Sequence, residues 1–420
     1  MRRRVVVTGM GAVSGNGTGV DGMWRALLNG EAHRSRIADV HFNPEENPVP
    51  YKSGGELITT VCGSMLTHER LADLSGVEKP TRYDRHQLFA LLAAKEALMQ
   101  SGALGRYENH RFGIVGGTGD GGLHEDAVAH TRISAGKQLD PFTNIRELPN
   151  LFAGQIANTF GLKGPGFVHC TACAASAHAI QSAADMILLE RADAMLAVGT
   201  EAAITPFGIG SFAGQRALSN FSRPYQKNRN GFLMGEGAAA LMLEDQEHAV
   251  KRGATILAEI AGYGATTDGV EGGLITDPNP DGGKRASVAA MTMAGVEPKD
   301  IAYIKTHGTG TPIGDKAELE GVHMWAGERA ERIPLSSIKS YIGHLLGAAG
   351  ACESVPCILM LLHKVVLPTF GLTEENLDPT LPRVAHVMGK PQELLGDYIL
   401  VNAFGFGGTN ASIIFRPYAG

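Results

Sequence analysis

No run in this 420-residue chain approaches the ~18 consecutive apolar residues of a bilayer-spanning helix. The basic lead into Val5-Val-Val-Thr-Gly9 lacks the apolar stretch of a secretion signal. Basic charge is not in excess: 37 Lys and Arg against 43 Asp and Glu leave a net charge of −6, which argues against a nucleic-acid binder. Cysteine is scarce, and the five present are odd in number, which suits a reducing cytoplasm. Cys170-Thr-Ala-Cys173 has no second C-x-x-C to complete a zinc site, and Cys62, Cys352 and Cys357 carry no ligand spacing. Charged residues make up only 19% against 44% hydrophobic, the balance of a globular enzyme with a sizeable core.

Glycine is what the chain has in quantity, 55 residues, so tight turns and close backbone approaches are expected. Two glycine runs invite a nucleotide-binding reading and fall short of it. Gly9-Met-Gly11-Ala-Val-Ser-Gly15 follows a strand predicted over residues 4–8, with Glu31 downstream, but its third glycine arrives one residue late for a dinucleotide turn. Gly116-Gly-Thr-Gly-Asp-Gly-Gly122 follows a strand predicted at 112–116 and lacks the Lys-Ser/Thr of a P-loop. Between them a helix is expected over residues 86–100, with Leu88, Leu91, Leu92, Leu98 and Met99 on one face. Strands and helices alternate throughout, which predicts an α/β fold with mostly parallel sheet. The pattern restarts near Ala254, so two similar halves are expected, 1–250 and 251–420.

Three reactive side chains, Cys173, His307 and His344, each stand just beyond a predicted strand, where open α/β sheets gather their chemistry. Cys173 falls where a strand hands over to an alanine-rich helix. The helix N-terminus is expected to lower its pKa and favour the thiolate. A thiol with two imidazoles suits hydrolysis through a Cys–His–acid triad. It also suits acyl transfer followed by carbon–carbon bond formation, with the imidazoles donating to a thioester oxygen as enolate charge develops. Two histidines in glycine-rich surroundings favour the second.

Four motifs occur in order: Thr171-Ala-Cys173-Ala-Ala-Ser176, His307-Gly-Thr-Gly-Thr-Pro-Ile-Gly-Asp315, Lys339-Ser-Tyr-Ile-Gly-His344-Leu-Leu-Gly-Ala-Ala-Gly350 and Asn402-Ala-Phe-Gly-Phe-Gly-Gly-Thr-Asn410. Together, and over nearly the whole chain, they resemble the β-ketoacyl-[acyl-carrier-protein] synthases, nearest the type II elongating condensing enzymes. The resemblance implies a thiolase-like five-layered α/β/α/β/α fold with two similar halves, usually as a homodimer. The implied reaction joins a malonyl unit to a Cys-bound acyl chain, in fatty acid or related polyketide or polyene synthesis, without a cofactor. Cys173 would carry the acyl group, and His307 and His344 would stabilise the enolate. Lys339 would hold the charge network, paired with Glu353 in a catalytic or a structural role. The backbone N–H groups of Cys173 and Phe406 would form the oxyanion hole, with Phe406 also a gate. Thr309 and Thr311 would hold the pantetheine arm, Phe404 would line the substrate site, and Glu318 would be a buried structural carboxylate. Arg223, and more weakly Lys79, Arg82 and Arg85, would dock an acidic acyl carrier protein.

The chain departs from the family at Asp120, which stands where an apolar residue usually lies deep in the acyl pocket. A carboxylate facing an alkyl tail is costly, so a short, unsaturated or functionalised acyl chain is expected. His169-Cys170 adds polarity before the nucleophile. A chain-length factor shares the fold but typically lacks the nucleophile, and a thiolase uses a second cysteine where this chain has the Phe406 loop. The active half of a ketosynthase/chain-length-factor heterodimer is the alternative.

Overall fold

A computed structural model describes residues 3–37 and 51–420. Ten strands build its main sheet: β1 (Val5–Ser14), β2 (Phe112–Gly117), β3 (Gly166–His169), β4 (Ala194–Glu201), β5 (Gly237–Asp245), β6 (Ala258–Thr267), β7 (Ile301–Lys305), β8 (Pro334–Ser336), β9 (Tyr398–Gly405) and β10 (Thr409–Arg416). Their spatial order is β3-β2-β4-β5-β1-β6-β10-β9-β7-β8, with two-residue segments at Gly17–Thr18 and Ala385–His386 added to β1 and β8. Read outward from the centre, each half repeats one order: first strand, fifth, fourth, second, third. The halves meet where β1 pairs antiparallel with β6 over three residues, Val5 to Val7 against Ile260 to Ala258.

The sheet is mixed rather than mostly parallel. Only the outer strands of each half are parallel, β2 with β3 and β4, and β7 with β8 and β9. The central pairings are all antiparallel. Element alternation foretells a parallel sheet only when a helix covers every crossover; here β9 and β10 form a hairpin and β5 returns beside β1.

Helices complete the five layers: α1 (Arg85–Ser101), α2 (Ala175–Leu188), α3 (Pro280–Ala294), α4 (Pro312–Ala326), α5 (Lys339–Ile342) and α6 (Ala349–His363). α2 and α6 lie between the two half-sheets, α1 covers β1, β5 and β4 outside, and α3 covers β6 and β10. This is the thiolase-like arrangement the motifs implied. The stretch Leu346–His363 is long and apolar enough to cross a membrane, but 89% of it is buried inside the fold, as befits the central layer. α1 starts at an Asp84 capping box with Gln87 and stops at left-handed Gly102. Leu88, Leu91 and Leu98 are buried in it as expected, whereas Met99 is 71% exposed: at 3.6 residues per turn it follows Leu98 by 100° and leaves the buried stripe.

The Gly9–Gly11 run is no turn. β1 continues through both glycines, with a register shift against β5 between Val7 and Gly9, and α1 packs directly on them. A Cβ at Gly11 would lie 2.0 Å from the Ala93 carbonyl oxygen, and one at Gly9 2.2 Å from that of Ala97. Gly11→Ala should therefore push α1 off the sheet and cost about 3 kcal/mol or more. Gly154→Ala, where an added Cβ meets nothing within 4 Å on an exposed helix position, should instead stabilise by about 0.5–1 kcal/mol. Urea midpoints of the two variants moving in the same direction would overturn the close-approach explanation.

Candidate active site

Cys173 sits in the one-turn 3-10 helix Ala172–Ala174, between the end of β3 and the start of α2. Ala172 enters that turn at φ 47°, left-handed for a residue with a Cβ, a conformation that costs about 1–2 kcal/mol and holds only where its surroundings enforce it. Those surroundings come from the β9–β10 hairpin. Thr409 donates to the Thr171 carbonyl at 3.0 Å. A Cβ at Gly405 would lie 2.8 Å from that same oxygen and 3.2 Å from the Ala174 nitrogen, so only glycine lets the hairpin close on the nucleophile. The second half repeats the device: Leu346, at φ 46°, enters the 3-10 turn Leu346–Ala348 ahead of α6.

The three reactive side chains converge. His344 Nε2 lies 3.0 Å from Cys173 Sγ, and the His344 ring meets the His307 ring edge-on at 5.3 Å. His344 is pinned through its backbone, which donates to the Leu233 carbonyl and accepts from the Gly235 N–H, both at 2.8 Å. His307 is pinned by Glu318, whose two oxygens accept from the His307 N–H at 2.7 Å and the Gly308 N–H at 2.8 Å. Phe404 N–H donates to His307 Nδ1 at 3.3 Å. An Nδ1 that accepts leaves the ring proton on Nε2. Lys339 Nζ approaches the same Nδ1 at 3.5 Å and Glu353 Oε1 at 2.6 Å.

Burial decides the protonation states. It pushes the Cys173 thiol up to about 12, reinforced by Glu201 and Asp120 and opposed by Lys339. The expected lowering of this pKa is thus overturned. A helix N-terminus contributes only about 0.3–1 kcal/mol, and burial of a charge outweighs it. Burial and the charges of Lys339 and Lys305 hold both imidazoles well below their usual value, so they face the site as neutral groups.

A cavity of about 550 Å³ opens beside this cluster. Along it exposure rises from His344 at 2% through Phe406 at 39% to Ile275 at 75%. Thr309, Thr311 and Phe404 also line it.

Several expected residues lie elsewhere. Asp120 is exposed and lines no part of this cavity; its backbone N–H donates to Glu201 Oε1 at 3.3 Å. Arg85 is no docking cation: it is buried, bidentate with Glu236 at 2.7 and 3.0 Å. Arg223 is half-buried, its guanidinium 3.9 Å over the Phe221 ring. Lys79 and Arg82 are exposed but away from the cavity lining. Three charged residues escaped the sequence reading. Arg216 is exposed and lines the cavity. Glu201 is fully buried and pushed up to about 8 by that burial and by Asp120. It accepts from Gly119 and Gly347 N–H at 2.6 and 3.0 Å, tying the glycine loop to the Leu346 turn. Lys305, also fully buried, ion-pairs with Glu353. The available signal for the last two was a charge ending an otherwise apolar strand.

The family model "Beta-ketoacyl synthase, N-terminal domain" matches residues 2–249, and "Beta-ketoacyl synthase, C-terminal domain" matches 257–373. The 3-oxoacyl-[acyl-carrier-protein] synthase 2 of Vibrio cholerae is 37% identical, with 99% of each chain covered. A β-ketoacyl synthase from Burkholderia phymatum superposes with a TM-score of 0.88 at 30% identity, covering 99% of this chain and all of the other. The ishigamide ketosynthase/chain length factor does so with a TM-score of 0.88 at 30% identity over the whole of both chains. Four motifs, one repeated half-sheet and a thiol beside a pair of imidazoles thus have a single context: the chain belongs to the β-ketoacyl synthase family.

Proposed function

We propose that this chain catalyses decarboxylative condensation of malonyl-acyl carrier protein with an acyl chain held on Cys173. The observation that carries the reading is the 3.0 Å contact of His344 Nε2 with the sulfur while His307 stands ring to ring with His344. Cys173 sulfur attacks the acyl thioester carbonyl, the carrier C–S bond breaks, and the Cys173 S–H proton ends on the departing carrier thiol. Malonyl thioester then loses CO2, its C–C bond electrons passing to an enolate whose oxygen accepts from His307 Nε2–H and His344. The carbanion attacks the Cys173 thioester carbonyl; the oxyanion rests on the N–H groups of Cys173 and Phe406, and the sulfur departs. Thr309 and Thr311 position the pantetheine arm, Phe404 and Phe406 bound it, Lys339 with Glu353 sets the local charge, and Glu318 supports the His307 turn. The thioester supplies the activation, so no cofactor is invoked.

In this reading residues 1–250 form the half carrying the nucleophile and 251–420 the half carrying both histidines. The enzyme works in the cytoplasm. Arg216 at the cavity, with Lys79, Arg82 and Arg223, meets the acidic carrier protein, while buried Arg85 does not. A short, unsaturated or functionalised acyl chain remains the expected substrate from the polar residues around the nucleophile, His169 and Cys170, and no longer from Asp120, which stands outside the cavity.

The partner subunit is a second copy or a related chain. β3 ends the sheet with its residues only partly covered, Phe167 among them at 37% exposed, an edge that a further subunit would cover. That edge, with the ishigamide ketosynthase/chain length factor similarity, favours the heterodimer as the second reading.

Incubation with malonyl-carrier protein and a panel of acyl-carrier proteins should release CO2 and give carrier-bound products two carbons longer. Release of free acid without CO2 would support a Cys-dependent hydrolase instead. Equal rates on short and long saturated chains would remove the substrate assignment while leaving the reaction intact.

A further inference from the structure

Lys305 touches no reacting group, yet it occupies an unusual place. It ends β7 two residues before His307, with no side-chain exposure. It donates to Glu353 and, at 2.6 Å, to the Asn402 carbonyl oxygen. Glu353 holds Lys339 through its other oxygen at 2.6 Å. One buried carboxylate thus lies between two buried ammonium groups, and Lys339 in turn reaches His307 Nδ1 at 3.5 Å. Burying a second cation is expensive unless it is paired, and among the described residues the one carboxylate it pairs with is already shared with Lys339.

We propose that Lys305 is a positioning residue which sets the charge behind both imidazoles. It anchors Glu353 from the side opposite Lys339 and holds a net positive field against His307 and His344, so that both stay neutral hydrogen-bond donors to the enolate oxygen. The groups around it support the assignment. Glu353 and Cys357 face it from α6, Lys339 from α5 and Glu318 from α4, with His307 and His344 beyond. Glu318 is committed to the His307 and Gly308 N–H groups. Protonation of His307 would leave its Nδ1 unable to accept from the Phe404 N–H, and protonation of His344 would place a charge on its buried, unpartnered Nδ1. A cation placed behind the rings opposes that protonation as pH falls. The inference rests on the reading of both histidines as enolate donors.

The test is the pH profile of CO2 release from malonyl-carrier protein by Lys305→Met and Lys305→Arg. A lost neighbouring cation raises a histidine pKa by about one unit, so the acid limb of Lys305→Met should move up by about one pH unit. Its rate relative to the unaltered enzyme should stay within about threefold at pH 8 and fall toward about tenfold only on the acid side of the histidines' own titration. Lys305→Arg should keep the original limb. A uniform loss at every pH, or an arginine variant behaving like methionine, would reduce Lys305 to a structural bridge. If Lys305→Met does not fold, Lys305→Gln carries the same comparison. Titration of 13C-labelled histidine by NMR reads the imidazoles directly. An unmoved His307 and His344 titration overturns the proposal whatever the rates. Full activity of His307→Ala or His344→Ala would instead overturn the enolate reading.

Discussion

Replacing Cys173 by serine is expected to lower condensation by at least about 10³-fold while leaving CO2 release from malonyl-carrier protein within about tenfold. The sulfur is the acyl carrier, and a hydroxyl in its place is a weak nucleophile without a strong base beside it. The imidazole in contact, His344, is held neutral by burial and by two lysines, and takes up a proton poorly. Decarboxylation calls on the imidazoles, so it should survive. The same burial predicts how the native thiol reacts. With the pKa pushed up to about 12, the thiolate fraction rises tenfold per pH unit throughout the range in which the protein is studied. Alkylation by iodoacetamide should therefore climb without a plateau from about pH 7 to pH 10. A plateau below pH 8 would mean that the helix N-terminus defeats burial after all. Loss of CO2 release together with condensation would mean that the sulfur, and not the histidine pair, organises the malonyl group.

What the sequence made legible follows a physical pattern. Cys173, His307 and His344 could be found because each follows a short apolar strand and precedes a glycine or alanine run, a punctuation that survives without coordinates. Glu353 was reachable because its spacing from Lys339 belongs to a recognisable motif. The direction of the Cys173 pKa was not, because it depends on how completely the second half covers the turn, and the covering residues, Gly405 and Thr409, lie more than 200 residues downstream. The Gly9-Met-Gly11 run misled for a related reason. Glycine serves a turn by its φ and a close helix contact by its missing Cβ, and sequence alone does not separate these uses; here α1 takes the place of the Cβ. Arg85 was mistaken for a surface cation because its partner Glu236 is 151 residues away. Lys305 went unnoticed because one lysine at a strand end is ordinary until its burial is known. Periodicity marked the strands but not their directions, which left the antiparallel centre of the sheet unforeseen.

Glu353→Gln should be the most destabilising single change at the site. It leaves two fully buried ammonium groups, Lys305 and Lys339, without a counter-charge, and breaking a buried pair on one side costs about 3–5 kcal/mol. Its pH dependence identifies the cause. Lys339 is already held below its ordinary value, chiefly by burial and then by Lys305, with Glu353 opposing. Removing Glu353 takes away the charge that opposes this and pushes Lys339 lower still. In the window between that depressed folded value and the unfolded ~10.4, the unfolded chain binds more protons than the folded one, so stability rises with pH. The deficit of Glu353→Gln should thus be largest near neutral pH and shrink as pH rises through the folded-state pKa of Lys339. Urea midpoints at pH 7 and pH 9.5, each compared with the unaltered protein, measure this. Adding Lys305→Met to Glu353→Gln should recover part of the loss, because one unpaired cation is removed; the two changes then fail to add, as expected of neighbours in one network. A deficit that is constant with pH, or a double variant as unstable as the sum of its parts, would mean that Glu353 acts by packing in α6. The shared-carboxylate arrangement would then lose its energetic basis, and with it the argument that the buried positive charge is what keeps His307 and His344 neutral.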